Sequence, residues 1–121
     1  MKGKASLLKV YISEFDKIGA VPLYEEIVTE ARNRGLGGAT VHRGILSFGA
    51  SHSIHSMKMF ALSSHLPVVV EVVDTDDTIK EFADRVVELI EQSKRGALVI
   101  IQPVDVVHYK PGEKYNQFKT F

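Results

Sequence analysis

Leu66-Pro67-Val68-Val69-Val70-Glu71-Val72-Val73 is the stretch that decides how this chain folds. Valine is stiff at its branched Cβ and suits the pleated surface of a strand. Side chains alternate across a strand, so Val68, Val70 and Val72 share one face and Val69, Glu71 and Val73 the other. Both faces are mainly apolar. Asp74 to Thr78 opens a helix, with Thr78 and Glu81 at the spacing of a capping box. Its apolar stripe is Ile79, Phe82, Val86, Leu89 and Ile90. Gly96 closes that connection, and Ala97 to Tyr109 reads as a last strand. Val99 and Ile101 stand opposite Leu98 and Ile100 there, so it too is apolar on both sides.

Toward the N-terminus, Met59 to Leu62 reads as an early restart of the central strand. The segment from about 49 to 58 is short, polar and rich in Ser and His, and reads as a loop. Gly37 to Phe48 is strand-like, and Gly44 interrupts it as a bulge would. Before it, Pro22 suits a first helical turn, and Leu23, Ile27 and Ala31 recur at four-residue steps. Arg32 and Arg34 complement the helix C-terminus, and Gly35 stops it. Leu8, Val10 and Ile12 alternate within Leu7 to Ile12, the first strand.

The order is strand, helix, strand, strand, helix, strand. It predicts an α+β, ferredoxin-like βαββαβ sandwich, an antiparallel sheet with two helices on one face. One domain over 1–121 is expected, with a C-terminal tail from about 111 to 121. Two helices cover one face of so small a sheet, so the second apolar face points to association between copies.

Composition narrows the function. Fifteen Lys and Arg balance fifteen Asp and Glu, so no global field attracts nucleic acid, and a charged ligand needs a local cluster. The absence of Cys removes thiolate catalysis, zinc-thiolate sites and disulfides. Met1-Lys2-Gly3-Lys4 leads into an apolar run too short for a signal or a membrane span, so a soluble, cytoplasmic protein is expected.

Arg34-Gly-Leu-Gly-Gly-Ala-Thr-Val-His-Arg-Gly-Ile-Leu-Ser-Phe-Gly49 resembles the stretch by which PII signalling proteins enter their long T-loop. Leu66 to Val73 resembles the family's L-P-x-x-x-x-E-x-V strand, one residue shorter. Gln102-Pro-Val-Asp-Val-Val-His-Tyr-Lys-Pro-Gly-Glu113 resembles its L-P-V-E-x-V-x-R-I-R-T-G-E ending. The three pieces stand in register across Leu7 to Glu113, and the chain is most similar to the small uncharacterised PII-like branch with a shortened loop.

That resemblance implies a homotrimer with its sheets facing inward and an adenine nucleotide, ADP or ATP, in each cleft between subunits. It implies that Thr40 contacts the adenine and that Phe48 and Gly49 meet phosphate at the loop entrance. His108 and Lys110 match the two arginines that reach phosphate from a neighbouring subunit. Ala50, Ser51 and His52 replace the family's arginine, glutamine and lysine, and remain candidate ligand contacts by position. Ser93-Lys94-Arg95-Gly96-Ala97 stands where the family has a glycine-rich G-D-G-K turn.

Within the expected fold, Lys94, Arg95, His108 and Lys110 form the convergent basic set suited to phosphate. Lys94 and Arg95 equally suit a helix C-terminus. Arg43 either joins the pocket or pairs with Glu71 across the sheet. His52 and His55 have a spacing open to metal, but nothing supplies further ligands in a recognisable pattern. Ser51 or Ser53 beside His52 lacks an acid to orient the histidine, which argues against nucleophilic catalysis.

Two functions follow. The first, and the stronger, is a non-enzymatic, ligand-sensing regulator that signals through the short loop to a membrane transporter or an enzyme. The second is a small trimeric metal-handling protein or enzyme on the same fold.

Overall fold

A computed structural model describes residues 1–49, 54–56 and 66–112. β1 (Gly3–Ser13) leads through a two-stranded ribbon, β2 (Lys17–Ile18) and β3 (Val21–Pro22), into α1 (Leu23–Asn33). β4 (Ala39–Arg43), β5 (Leu46–Phe48) and β6 (Ile54–Ser56) follow. The chain returns in β7 (Pro67–Asp74), α2 (Asp76–Ser93) and β8 (Leu98–Val106). The main sheet runs β4-β7-β1-β8, and all its neighbours are antiparallel. This is the expected ferredoxin-like α+β arrangement.

β7 is an interior strand, hydrogen-bonded to β4 on one side and β1 on the other. Val68, Val70 and Val72 are buried beside Leu8, Val10 and Ile12 of β1. Leu23, Ile27 and Ala31 of α1 and Ile79, Phe82, Val86, Leu89 and Ile90 of α2 close that layer. The helices therefore bury the stripes that the sequence marks out. α1 ends as Gly35 requires: its φ is +77°, its N–H donates to Arg32 O at 3.0 Å, and Leu36 N–H donates to Ala31 O at 3.1 Å. This paired closure, with Leu36 buried against the core, is a Schellman motif.

Three local expectations are corrected. α2 does not use the Thr78–Glu81 box; Thr75 is its N-cap and accepts the first helical bond from Ile79 at 2.9 Å. Gly44 marks the end of β4 rather than a bulge within a strand. Its N–H donates to Pro67 O at 2.8 Å, and a Cβ there would lie 2.8 Å from Pro67 Cγ. The segment from 49 to 58 is not all loop, because β6 pairs with β5 through Leu46–Ser56, Ser47–His55 and Phe48–Ile54. Residues 50–53 and 57–65, including the expected restart at Met59, lie outside the described residues, as does the tail from 113.

One bridge ties the helices together. Glu30 of α1 accepts from Arg85 of α2 at 3.0 Å and from Arg34 at 3.1 Å. The Arg85 hydrogen bond, reinforced by Arg34 against the opposing effect of burial, holds the Glu30 carboxyl below its ordinary 4.5.

Two measurements check this packing. Gly44→Ala should destabilise the fold by about 1–3 kcal/mol in urea unfolding, because the Pro67 ring is rigid. Gly112→Ala, which meets nothing within 4 Å, should be neutral. Glu30 has a depressed folded pKa, so its stabilisation is present above 4.5 and lost as pH falls through the lower folded value. Arg85→Gln should flatten that acid limb of the stability profile; an unchanged limb would show that the bridge contributes nothing.

Candidate functional site

The sheet face turned away from the helices is the first functional surface. The register aligns His42, Val69, Tyr11 and Leu98 across the four strands in one row. The neighbouring row on that face is Thr40, Glu71, Lys9 and Ile100. Leu7 and Val73 pair in a third row. Tyr11 is 37% and Leu98 56% exposed, so this apolar face meets solvent in one chain. The sequence reading of strands with two apolar faces therefore has a physical counterpart.

Polar groups from two adjacent rows meet on this face. Glu71 Oε1 lies 2.6 Å from His42 Nε2, and Lys9 is its register neighbour on β1. The expected pairing of Arg43 with Glu71 is replaced: Arg43 pairs with Glu14, and His42 takes Glu71 instead. Strand parity explains the exchange. Arg43 stands opposite Val68 and so shares the helix-side parity, whereas His42 shares the face of Glu71.

Thr40 projects from β4 onto the open face beside Glu71 and is exposed. Phe48 ends β5 at 68% exposure, and Gly49 follows it with open space where a side chain would stand. Ala50, Ser51 and His52 lie outside the described residues. Lys94 caps α2 in the left-handed region, with φ 60° and ψ 22°. Arg95 donates its backbone N–H to Ser93 Oγ at 3.3 Å. Both side chains are exposed.

Lys94 and Arg95 precede β8, whereas His108 and Lys110 follow it. A nine-residue strand spans roughly 30 Å, so one chain does not bring the two basic pairs together. Convergence of all four requires a neighbouring copy.

The sequence reading missed the connection between the C-terminal segment and the glycine-rich turn before β4. Tyr109 Oη donates to Gly37 O at 2.8 Å, and Gly37 N–H donates to Asp74 Oδ2 at 2.9 Å. Beside this turn lies a pocket of about 530 Å³, walled by Val28, Ala31, Arg32, Leu36, Gly38 and Ala39. The double glycine was the available signal, but its partners lie 37 and 72 residues away in sequence. Among the described residues, no group of three His, Asp or Glu side chains is placed to hold a metal. No helix among them is long and apolar enough to cross a membrane.

The sheet order, the two helices on one face and the hairpin projecting beyond β4 define a PII-like fold. CPII, a nitrogen regulatory PII-like protein from Thiomonas intermedia K12 solved with ADP, AMP and bicarbonate, superposes with a TM-score of 0.61. It is 11% identical, with 87% of this chain and 90% of that chain covered. The divalent ion tolerance protein CutA1 from Ehrlichia chaffeensis gives 0.52 at 15% identity, covering 98% and 92%. Residues 5–106 match the family described as DUF190, Uncharacterized ACR, COG1993, and the chain belongs to that family. It is 35% identical to a UPF0166 protein of Aquifex aeolicus over 105 residues, covering 87% of this chain and 95% of the relative. A UPF0166 protein of Methanocaldococcus jannaschii is 36% identical over 112 residues, covering 93% and 97%.

Proposed function

We propose that this protein is a single-domain, non-enzymatic PII-like regulator of the cytoplasm that assembles as a homotrimer through its open sheet faces. An adenine nucleotide, ADP or ATP, occupies each cleft between copies. Thr40, Phe48 and Gly49, with Ala50, Ser51 and His52 after them, line the cleft from one direction. Lys94 and Arg95 supply cations at one end of β8, and His108 and Lys110 of a neighbour meet them. Nucleotide occupancy biases the β5–β6 hairpin, which contacts a transporter or enzyme.

The observation that carries this reading is the separation of two exposed basic pairs by the length of β8, at the margins of an uncovered apolar face. Association through that face gives each pair a route to the complementary pair of another copy. Phosphate is the natural ligand for such converged cations, which form charge-assisted hydrogen bonds with its oxygens. The ADP and AMP held by CPII agree with that class of ligand. The likeness to CutA1, a divalent ion tolerance protein, favours a metal-handling trimer as the second reading.

Two experiments decide between them. Light scattering should give a mass three times the 13.4 kDa of one chain. Tyr11→Glu with Leu98→Glu should give a monomer, since each copy would bury unpaired carboxylates. A wild-type monomer at micromolar concentration removes the inter-subunit cleft. In calorimetric titration, Lys110→Ala should weaken ADP or ATP by roughly tenfold to a hundredfold. Lys80→Ala, whose ammonium pairs with Asp76 on the exposed side of α2, should change little. Absence of nucleotide binding at millimolar concentration, with stoichiometric metal retained by purified protein, establishes the second reading instead.

A further inference from the structure

The ladder of β8 ends with the pair of Val106 and Gly3 of β1, and among the described residues 107–112 belong to no strand. Val107 is 79% exposed, and His108 and Lys110 are exposed. Tyr109 between them is partly buried, and its hydroxyl donates to Gly37 O at 2.8 Å. Tyr109 is thus turned toward the Gly37 turn, while His108 and Lys110 on either side of it are exposed to solvent.

The seat itself is fixed to the sheet. Gly37 donates its N–H to Asp74, the last residue of β7, at 2.9 Å. A Cβ at Gly37 would lie 2.9 Å from Met1 Cε and 3.4 Å from Tyr109 Oη, so both side chains pack closely over this turn. Without this anchor, Lys110 would sit on backbone that no strand among the described residues holds. A lysine loses much rotamer entropy when it grips a ligand, and a loose backbone adds to that loss.

We propose that Tyr109 is a positioning residue, which holds the His108–Lys110 pair in the direction needed to reach nucleotide phosphate across a subunit boundary. This rests on the nucleotide reading above and deepens it. Tyr109 touches no phosphate; it acts through its two neighbours and through Gly37.

The test is Tyr109→Phe, which keeps the ring and removes only the hydroxyl. ADP should bind about fivefold to tenfold more weakly, the equivalent of one net hydrogen bond. Adenosine, measured by competition against a fluorescent adenine nucleotide, should bind as to wild type, because it carries no phosphate. In a Lys110→Ala background, Tyr109→Phe should add little, since the group it positions is gone. A loss equal for ADP and adenosine would make Tyr109 a general support of the fold and overturn the proposal. Full additivity with Lys110→Ala, or unchanged ADP affinity, would overturn it as well. Wild type that binds ADP while Tyr109→Phe binds it equally removes this inference alone. Wild type that binds no adenine compound removes both it and the nucleotide reading.

Discussion

Two helices can cover one face of a four-stranded sheet, and here they cover the face that carries Val68, Val70 and Val72. The pleat then commits every alternate residue to the other side. Val69, Val73, Leu7, Tyr11, Leu98 and Ile100 have no choice of direction once the core is set. The open face is thus a consequence of the core register. A one-residue slip of β7 would place Glu71 among Ile27, Phe82 and Val86 and expose three valines, which the core would not tolerate. The same register fixes where Thr40 emerges and where β8 begins and ends, so the geometry of the candidate site follows from the packing of one strand.

The parts legible in the sequence are those governed by short-range period. The stripes of α1 and α2 repeat every three or four residues, and the structure buries those residues. The run through 66–73 needs no partner to declare itself a strand. What escaped depends on partners far away in the chain. β6 has only three residues, and its pairing is decided by β5. The choice between Arg43 and His42 as the partner of Glu71 depends on strand parity, which no local pattern encodes. The capping residue of α2 escaped for a different reason. Thr75-x-x-Thr78 and Thr78-x-x-Glu81 both resemble starts, and the end of β7 at Asp74 selects the earlier one.

The candidate site is less legible than the fold because its residues are short polar groups without a local pattern. Lys94 and Arg95 read identically as a helix end and as a phosphate grip, and in one chain they are the former: Lys94 is the left-handed cap itself. A lysine in that conformation costs roughly 1–2 kcal/mol where glycine would cost little. His108 and Lys110 carry meaning only through the residue between them, since Tyr109 finds its partner at Gly37. The resemblance to PII proteins supplied positions, while the structure supplied the direction in which those positions point.

Charge adds a last constraint on how copies can meet. A wholly apolar face would permit association in many registers, as hydrophobic contact is non-directional. Here Glu71 stands in the middle of the face, with His42 against its carboxylate and Lys9 beside it in register. In the proposed trimer these groups leave water, and a carboxylate stripped of its partners is expensive to bury. Arrangements that keep Glu71 paired are therefore favoured over those that strand it against Leu98 or Val69 of another copy. The apolar rows provide the drive to associate, and the row through Thr40, Glu71 and Lys9 restricts the geometry. Because Thr40 belongs to that row, the constraint that selects the assembly also fixes the edge of the proposed cleft.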